Sequence, residues 1–346
     1  MRRLADASTL EAATLGGTLL SAGAGGEEWL ASARADGMVA LAAGEVEIID
    51  LDELADDDLI ITVAAVGAPS TNRSRVRPED RIEAVRALLA DIGDGVRAIM
   101  ISEATTVNGW LQGATLGLPV VDAAGDGRGH PTVEMGSLGL NDRLTVQTAV
   151  AGGDRPLRVV THGSLADTSQ VLRQAAVQVG GLIACARLPL PAGIVRERAA
   201  IGAVSYQIRL GELMRQGDPT RIGEFVAVRT GGAVLATGEV RSNSVSLRGS
   251  FDIGEVVVAS AEGDLRLPVV NEYMAAWRND RRLALFPDLL ATLSPATGLP
   301  VALKDLRPGS PVVVLHVPKE HFPVGAGARD EGNLKEVETM SGLVMR

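Results

Sequence analysis

The sequence predicts an α/β plus β protein: an N-terminal three-layer α/β domain with a mostly parallel sheet, followed by a second, β-rich domain. Two observations carry this prediction. In the first part of the chain, apolar strand-like runs alternate with helical runs, the rhythm of a sheet built from crossover connections. In the later part, short β-like runs are punctuated by Gly, Pro and Asp. At 346 residues the chain exceeds what one hydrophobic core usually holds. We place the boundary so that residues 1–165 form the α/β domain and 166–346 the second, the latter with helices in 167–214, β structure in 222–317 and a charged, glycine-rich tail over 318–346.

Taken in order, Ser8 and Glu11 have capping-box spacing, and Leu10, Ala13, Thr14 and Gly17 share one face of a first helix that ends near Ser21. The bend Gly23-Ala24-Gly25-Gly26 lacks the preceding strand of a dinucleotide fingerprint, and Glu27 and Glu28 repel phosphate. It therefore reads as a tight turn into a short helix, and no nucleotide cofactor is expected. Residues 46–51 alternate as a strand. The acidic run Asp56-Asp57-Asp58 is a solvated connection to the apolar run 59–66. Ile82, Val85, Leu88 and Leu89 mark one face of a helix over 78–92, followed by a buried strand at 97–101, a helix over 111–116 and a strand at 119–122. Two alternating stretches fall within 144–162, and long helices are expected over 167–179 and 192–214. The β-like runs that follow are 225–235, 244–247, 255–259, 265–271 and 311–316.

The formal net charge of −10 repels phosphate backbones, and three Trp, two Tyr and four Phe offer little for base stacking, so nucleic acid is not an expected partner. The single cysteine, Cys185, excludes an internal disulfide; its apolar neighbours suggest a buried, inert thiol in a reducing compartment. No segment runs long enough without charge to span a bilayer. The basic pair at residues 2–3 is followed at once by Asp6 and Glu11, so a signal peptide is not expected and the location predicted is cytoplasmic.

The stretch from Glu103 to Glu134 is the richest in chemistry. Glu103 follows one strand, Asn108 lies near a helix start, and Asp122 ends the next strand before a loop holding Asp126, Arg128 and His130. Carboxylates converging at one sheet edge raise one another's pKa and so provide a general acid or base near neutral pH, while Arg128 offers a fork for an oxygen or an anion. A structural reading stands beside this one: Asp122 and Asp126 make Asx turns and cap a helix, and Arg128 pairs with them. The four histidines form no HxH or HExxH pattern. Asp122, Asp126 and His130 are the candidate ligands if a divalent metal is used.

The glycine-rich N-terminal bend, Gly67-Ala68-Pro69, Glu103 with Asn108, Gly117-Leu118-Pro119-Val120-Val121-Asp122, Gly127-Arg128 with Pro131, Val179-Gly180-Gly181, Phe251-Asp252-Ile253-Gly254, Asn271-Glu272, Pro287-Asp288-Leu289-Leu290 and Leu306-Arg307-Pro308-Gly309 occur in one order. In that ordered set the chain resembles the S-methyl thiohydantoin desulfurase family. The resemblance implies an N-terminal α/β domain, a β-containing C-terminal domain, and hydrolytic chemistry on a five-membered cyclic ureide or amide, a thiohydantoin or hydantoin. It assigns roles by position. Glu103 or Asp122 activates water, Asn108 and Arg128 hold a ring oxygen or a substrate carboxylate, Asp126 orients Arg128 or protonates the leaving sulfur, His130 adjoins the substrate, and Asn271 and Glu272 close the pocket. It also implies a second reading, a non-catalytic subunit that stabilises a hydantoinase- or oxoprolinase-type partner; a homo-oligomer is compatible with either. The chain departs from the family pattern at Ala104-Thr105-Thr106, His130, Thr132 and Tyr273, departures that bear on substrate identity.

Overall fold

The computed structural model describes residues 3–70, 76–152 and 156–343; the first two residues of the chain's basic start and the last three of its tail lie outside the described residues. The first part runs β1 (Arg3–Leu4), α1 (Ala7–Leu20), α2 (Glu27–Ala43), β2 (Glu47–Ile49), β3 (Leu59–Val66), α3 (Pro78–Ile92), β4 (Val96–Glu103), α4 (Trp110–Leu116) and β5 (Val120–Asp126). It continues through β6 (Leu144–Ala151), β7 (Leu157–Ser164), α5 (Leu165–Val179), β8 (Ile183–Pro191), α6 (Ala192–Arg198), β9 (Ala200–Ile201) and α7 (Ala203–Gln216). The strands form one mixed sheet in the order β1-β2-β5-β4-β3-β8-β6-β7, with β9 beside β5. Its centre, β2, β5, β4 and β3, is parallel, and β8, β6 and β7 extend it antiparallel. Alternation along β3 sends Ile61 and Val63 towards α3 and Ala64 and Val66 towards α5, so helices cover both faces in three layers.

The second part runs α8 (Ile222–Thr230), β10 (Ala233–Asn243), β11 (Ser246–Arg248), β12 (Phe251–Ser260), β13 (Leu265–Val270), β14 (Glu272–Tyr273), β15 (Ala275–Arg278), β16 (Arg281–Leu285), β17 (Leu289–Leu293), β18 (Pro311–Val317) and α9 (Glu331–Ser341). These strands make a wholly antiparallel sheet in the order β16-β15-β13-β12-β10-β18-β17, with its own core of Val256, Val258, Leu267, Val269, Tyr273 and Val314.

The sequence prediction of α/β plus β holds, and several boundaries move. The first sheet takes in β8 and β9, so its strands run past residue 165 to Ile201, and the antiparallel sheet begins with β10. The helix expected over 192–214 is broken: Ala200 and Ile201 pair with β5, and Gly202, at φ +76°, starts α7 afresh. Residues 225–230 are helical, not extended. Two of the three β-branched residues, Val226 and Thr230, face the core at i, i+4 spacing while Val228 is exposed, and Gly231 caps the helix in the left-handed region. The first helix is capped by Asp6, whose carboxylate accepts from the Thr9 amide at 2.7 Å, in place of a Ser8 box. The helix after the glycine bend is long rather than short, and part of the tail forms α9.

After β18 the chain returns to the first domain. Gly325 and Gly327 lie so close to Gly125 and Met135 that an added Cβ would meet backbone carbonyl oxygens at 1.9 and 2.1 Å. A second close approach joins α1 to α7, where a Cβ on Gly211 would stand 1.8 Å from the Ala12 carbonyl oxygen and one on Gly16 1.9 Å from that of Gln207. Both atoms are immobile backbone, so Gly211→Ala is expected to lower stability by about 1–3 kcal/mol, read by chemical denaturation. An unchanged denaturation midpoint would show that the helices separate at no cost.

Candidate active site

A cavity of about 240 Å³ opens between the two halves. The first domain contributes the α2 face with Trp29 and Asp36, the end of β3, Arg81 of α3, Glu103, Asn108, the loop from His130 to Val133, Arg173 and Arg187. Asn271, Glu272, Lys304 and Asp305 close it from the second.

Glu103 is placed by chain direction. Parallel strands β4 and β5 end at the same sheet edge, and Glu103 is the last residue of β4, in register with Asp126 at the end of β5. One carboxylate oxygen accepts from the Thr105 hydroxyl at 3.0 Å and the other from the His130 amide at 3.3 Å. Its side chain keeps 30% of its exposure, all within an enclosed setting, and burial lifts its pKa to about 7 against these hydrogen bonds and the charges of Arg128 and Arg187. Glu272 is buried with Oε2 unpaired among the described residues. Burial first, then the negative charge of Glu103, hold its carboxyl well above the usual range. Glu103 and Glu272 are thus two carboxyl groups of the cavity that burial raises, and the charge of Glu103 adds to the rise at Glu272.

His130 Nδ1 lies 2.8 Å from the Thr132 carbonyl oxygen, which can only accept, so the ring proton sits on Nδ1. Burial and the nearby Arg187 push its pKa down to about 3, which leaves neutral Nε2 with its lone pair 3.8 Å from Glu103. Asn108 accepts on Oδ1 from Arg81 and Gln112, both at 2.9 Å, and this turns its amide N–H groups to the cavity. Asn271, at φ +58°, accepts from the Asp252 amide and donates to the Pro131 carbonyl, tying the site loop to the second domain.

Three of the residues expected at the site from sequence are placed elsewhere. β5 runs on to Asp126, so Asp122 lies within the strand and faces α7, where its Oδ1 accepts from the Ser205 amide at 2.8 Å. It caps a helix. Asp126 is fully buried beneath the returning C-terminal segment, accepting from Gly127 and Gly325 amides at 2.9 and 3.1 Å, and burial lifts its pKa to about 7. Arg128, also fully buried, donates to the backbone carbonyls of Gly129, Tyr273 and Asp288 and lies over the Phe286 ring. No donor fork faces the cavity there. Asp122, Asp126 and His130 accordingly do not converge, and among the described residues no group of three or more His, Cys, Asp or Glu side chains is arranged to hold a metal ion.

Sequence reasoning missed Arg81, Arg173 and Arg187. Arg187 is wholly buried in β8, donating to the Val133 carbonyl and the Ser102 and Ser137 hydroxyls, with its pKa lowered to about 10 by burial. An arginine inside the apolar run 183–190 was the available signal. Arg173 stacks 4.2 Å from the Phe251 ring centre and donates to the Pro131 carbonyl. Cys185 is buried with its thiol pushed up to about 12, an unreactive group. No helix among the described residues is long and apolar enough to cross a membrane.

The buried Asp126 carries a pH signature. Its folded pKa lies above the unfolded value, so the folded state holds the extra proton and stability falls as pH rises from about 4 to about 7. Asp126→Asn keeps the Oδ1 acceptor and removes this contribution. Its unfolding temperature is expected to decline less than that of wild type between pH 5 and pH 8, measured by thermal melts; parallel curves would contradict the assignment.

Comparison with known proteins agrees with this architecture. Residues 8–174 match the S-Me-THD-like N-terminal domain and residues 164–322 the S-Me-THD-like C-terminal domain. The crystal structure of a protein from Chromobacterium violaceum is 20% identical and superposes with a TM-score of 0.71, over 98% of this chain and 96% of that one, a likeness of fold. No curated protein matches the chain. With both domain models matched in sequence order over nearly the whole chain, the protein belongs to the S-methyl thiohydantoin desulfurase-like family.

Proposed function

We propose that the protein is a hydrolase that removes sulfur from a five-membered cyclic thioureide, an S-alkyl thiohydantoin, and releases a hydantoin and a thiol. The observation that carries this reading is the Glu103 and Glu272 pair: two carboxyl groups in one small cavity, both with raised pKa, at the junction of the two family domains. At neutral pH such a pair divides the labour of hydrolysis. Glu103, about half ionised near pH 7, takes a proton from water as the water oxygen bonds to the ring carbon between the two nitrogens, and the carbon–nitrogen π pair moves onto the ring nitrogen, to return when the sulfur leaves. Glu272, still protonated, gives its proton to the sulfur as the carbon–sulfur bond breaks. The hydroxyl proton of the resulting C(OH)=N group then moves through solvent to the ring nitrogen, which gives the hydantoin, and the proton held by Glu103 passes through solvent to Glu272, which restores both carboxyl groups. Atoms balance as one water consumed and one thiol released.

Other residues support these steps. The Asn108 amide donates to a ring carbonyl oxygen, with Arg81 and Gln112 fixing its orientation. The Thr105 hydroxyl and the His130 amide aim the Glu103 carboxylate. Arg128 contributes charge from behind the wall without touching the substrate. Water activation rests on Glu103 alone, and protonation of the sulfur, expected of Asp126, falls to Glu272, which lines the cavity.

Incubation of purified protein with an S-methyl thiohydantoin should release methanethiol, scored with a thiol reagent, and a hydantoin that matches an authentic standard. Glu103→Gln is expected to lower kcat by about 100-fold or more, and Asp122→Asn to leave kcat within a few fold. For wild type, kcat/KM should fall about tenfold per pH unit below about 7 as Glu103 takes up a proton. Absence of thiol release by wild type, or equal turnover by the Glu103 variant, would overturn the proposal.

A further inference from the structure

The four sheet edges differ in how they are finished. β1 is two residues long. β16 carries Arg281 and Arg282, and its pairing with β15 contains a register shift. β17 is covered on its outer side by the segment at Pro300 and Val301. β7 carries Arg158 and His162 but is neither short, irregular nor covered: it pairs with β6 through eight residues in unbroken register, contains no proline, and has no backbone partner on its outer side among the described residues. A long, regular, open edge is a template for another strand.

We propose that a second copy of this chain occupies that edge, joining the two first-domain sheets through antiparallel β7–β7 pairing about a two-fold axis at Val160. The register follows from the faces. A two-fold axis perpendicular to the sheet keeps each side chain on its own face, so only residues of like face meet, and the pairing centres on a single residue. Arg158, Val160 and His162 all lie on the α3 face, since they stand opposite Val150, Thr148 and Val146 of β6. Centred on Val160, the pairing sets Val160, 40% exposed, against its own copy. It also sets Arg158 of each chain opposite His162 of the other.

That register is complementary in charge. His162 is held at 3.1 Å by Asp91, and Arg158 at 3.0 Å by Glu83, both from α3. Each arginine therefore comes opposite a histidine that carries its own carboxylate, so every basic side chain at the seam is matched by an acidic one. Centring on Thr161 instead would set Arg158 opposite Ser164 and lose this match. α5, which packs on β6 and β7, adds two exposed valines, Val171 and Val177, beside the edge. The interaction is independent of the proposed chemistry.

The test uses the full chain. Wild type is expected to sediment at twice the chain mass. Val160→Asp and Val160→Lys each place like charges on the axis and should sediment as monomers with unchanged circular dichroism. Mixed in equal amounts, they should regain the dimer, an outcome that requires residue 160 to meet residue 160. On wild type alone, amides 158–162 should gain hydrogen-exchange protection as protein concentration rises, a reading that needs no variant. A monomeric wild type, a dimer that survives both substitutions, or a mixture that stays monomeric would each overturn the proposal.

Discussion

The Arg128 guanidinium, wholly out of water, holds the site together by donating to backbone carbonyls on both sides of the domain junction. One of these belongs to the adjacent loop, at Gly129, and the others to the second domain, at Tyr273 and Asp288. A buried cation of this kind is tolerable only when hydrogen bonds and counter-charges replace its hydration. Those counter-charges are Glu272, Asp126, Asp288 and Glu103, so the group that fixes the two halves also sets the electrostatics of the cavity between them. Glu272, immediately before Tyr273, is delivered to the cavity by the same contact.

Around this anchor the wall has a graded polarity. Arg128 and Arg187 are fully buried and donate to carbonyls and hydroxyls, while Glu103, Asn108 and His130 line the space itself; Arg187 Nε and His130 Nε2 have no partner among the described residues. Positive charge in the wall limits how far burial raises the carboxyl groups. The same arrangement keeps His130 neutral, with one tautomer enforced by the Thr132 carbonyl.

Much of this was legible in the order of residues. β3, α3 and the β6–β7 pair follow directly from strong periodicity, and Glu103 could be singled out because it terminates an apolar strand. Asp122 misled because the strand continues through Ala123, Ala124 and Gly125, small residues with weak β signal, whose extended state is imposed by neighbours β4 and β9. α8 was obscured by β-branched residues that tertiary packing holds in a helix. Arg173 and Arg187 reach the cavity through α5 and an antiparallel strand inserted beside β3, a placement that local pattern does not encode.

The returning segment around Gly325 has a kinetic meaning. Its amide binds Asp126 across 199 residues of sequence, and the close backbone approaches of Gly325 and Gly327 leave no slack for a substitute. Contacts of such high sequence separation form late, because a large loop must close before they repay its entropy. The support of the loop that bears His130 is thereby tied to a contact whose closure spans the whole second sheet.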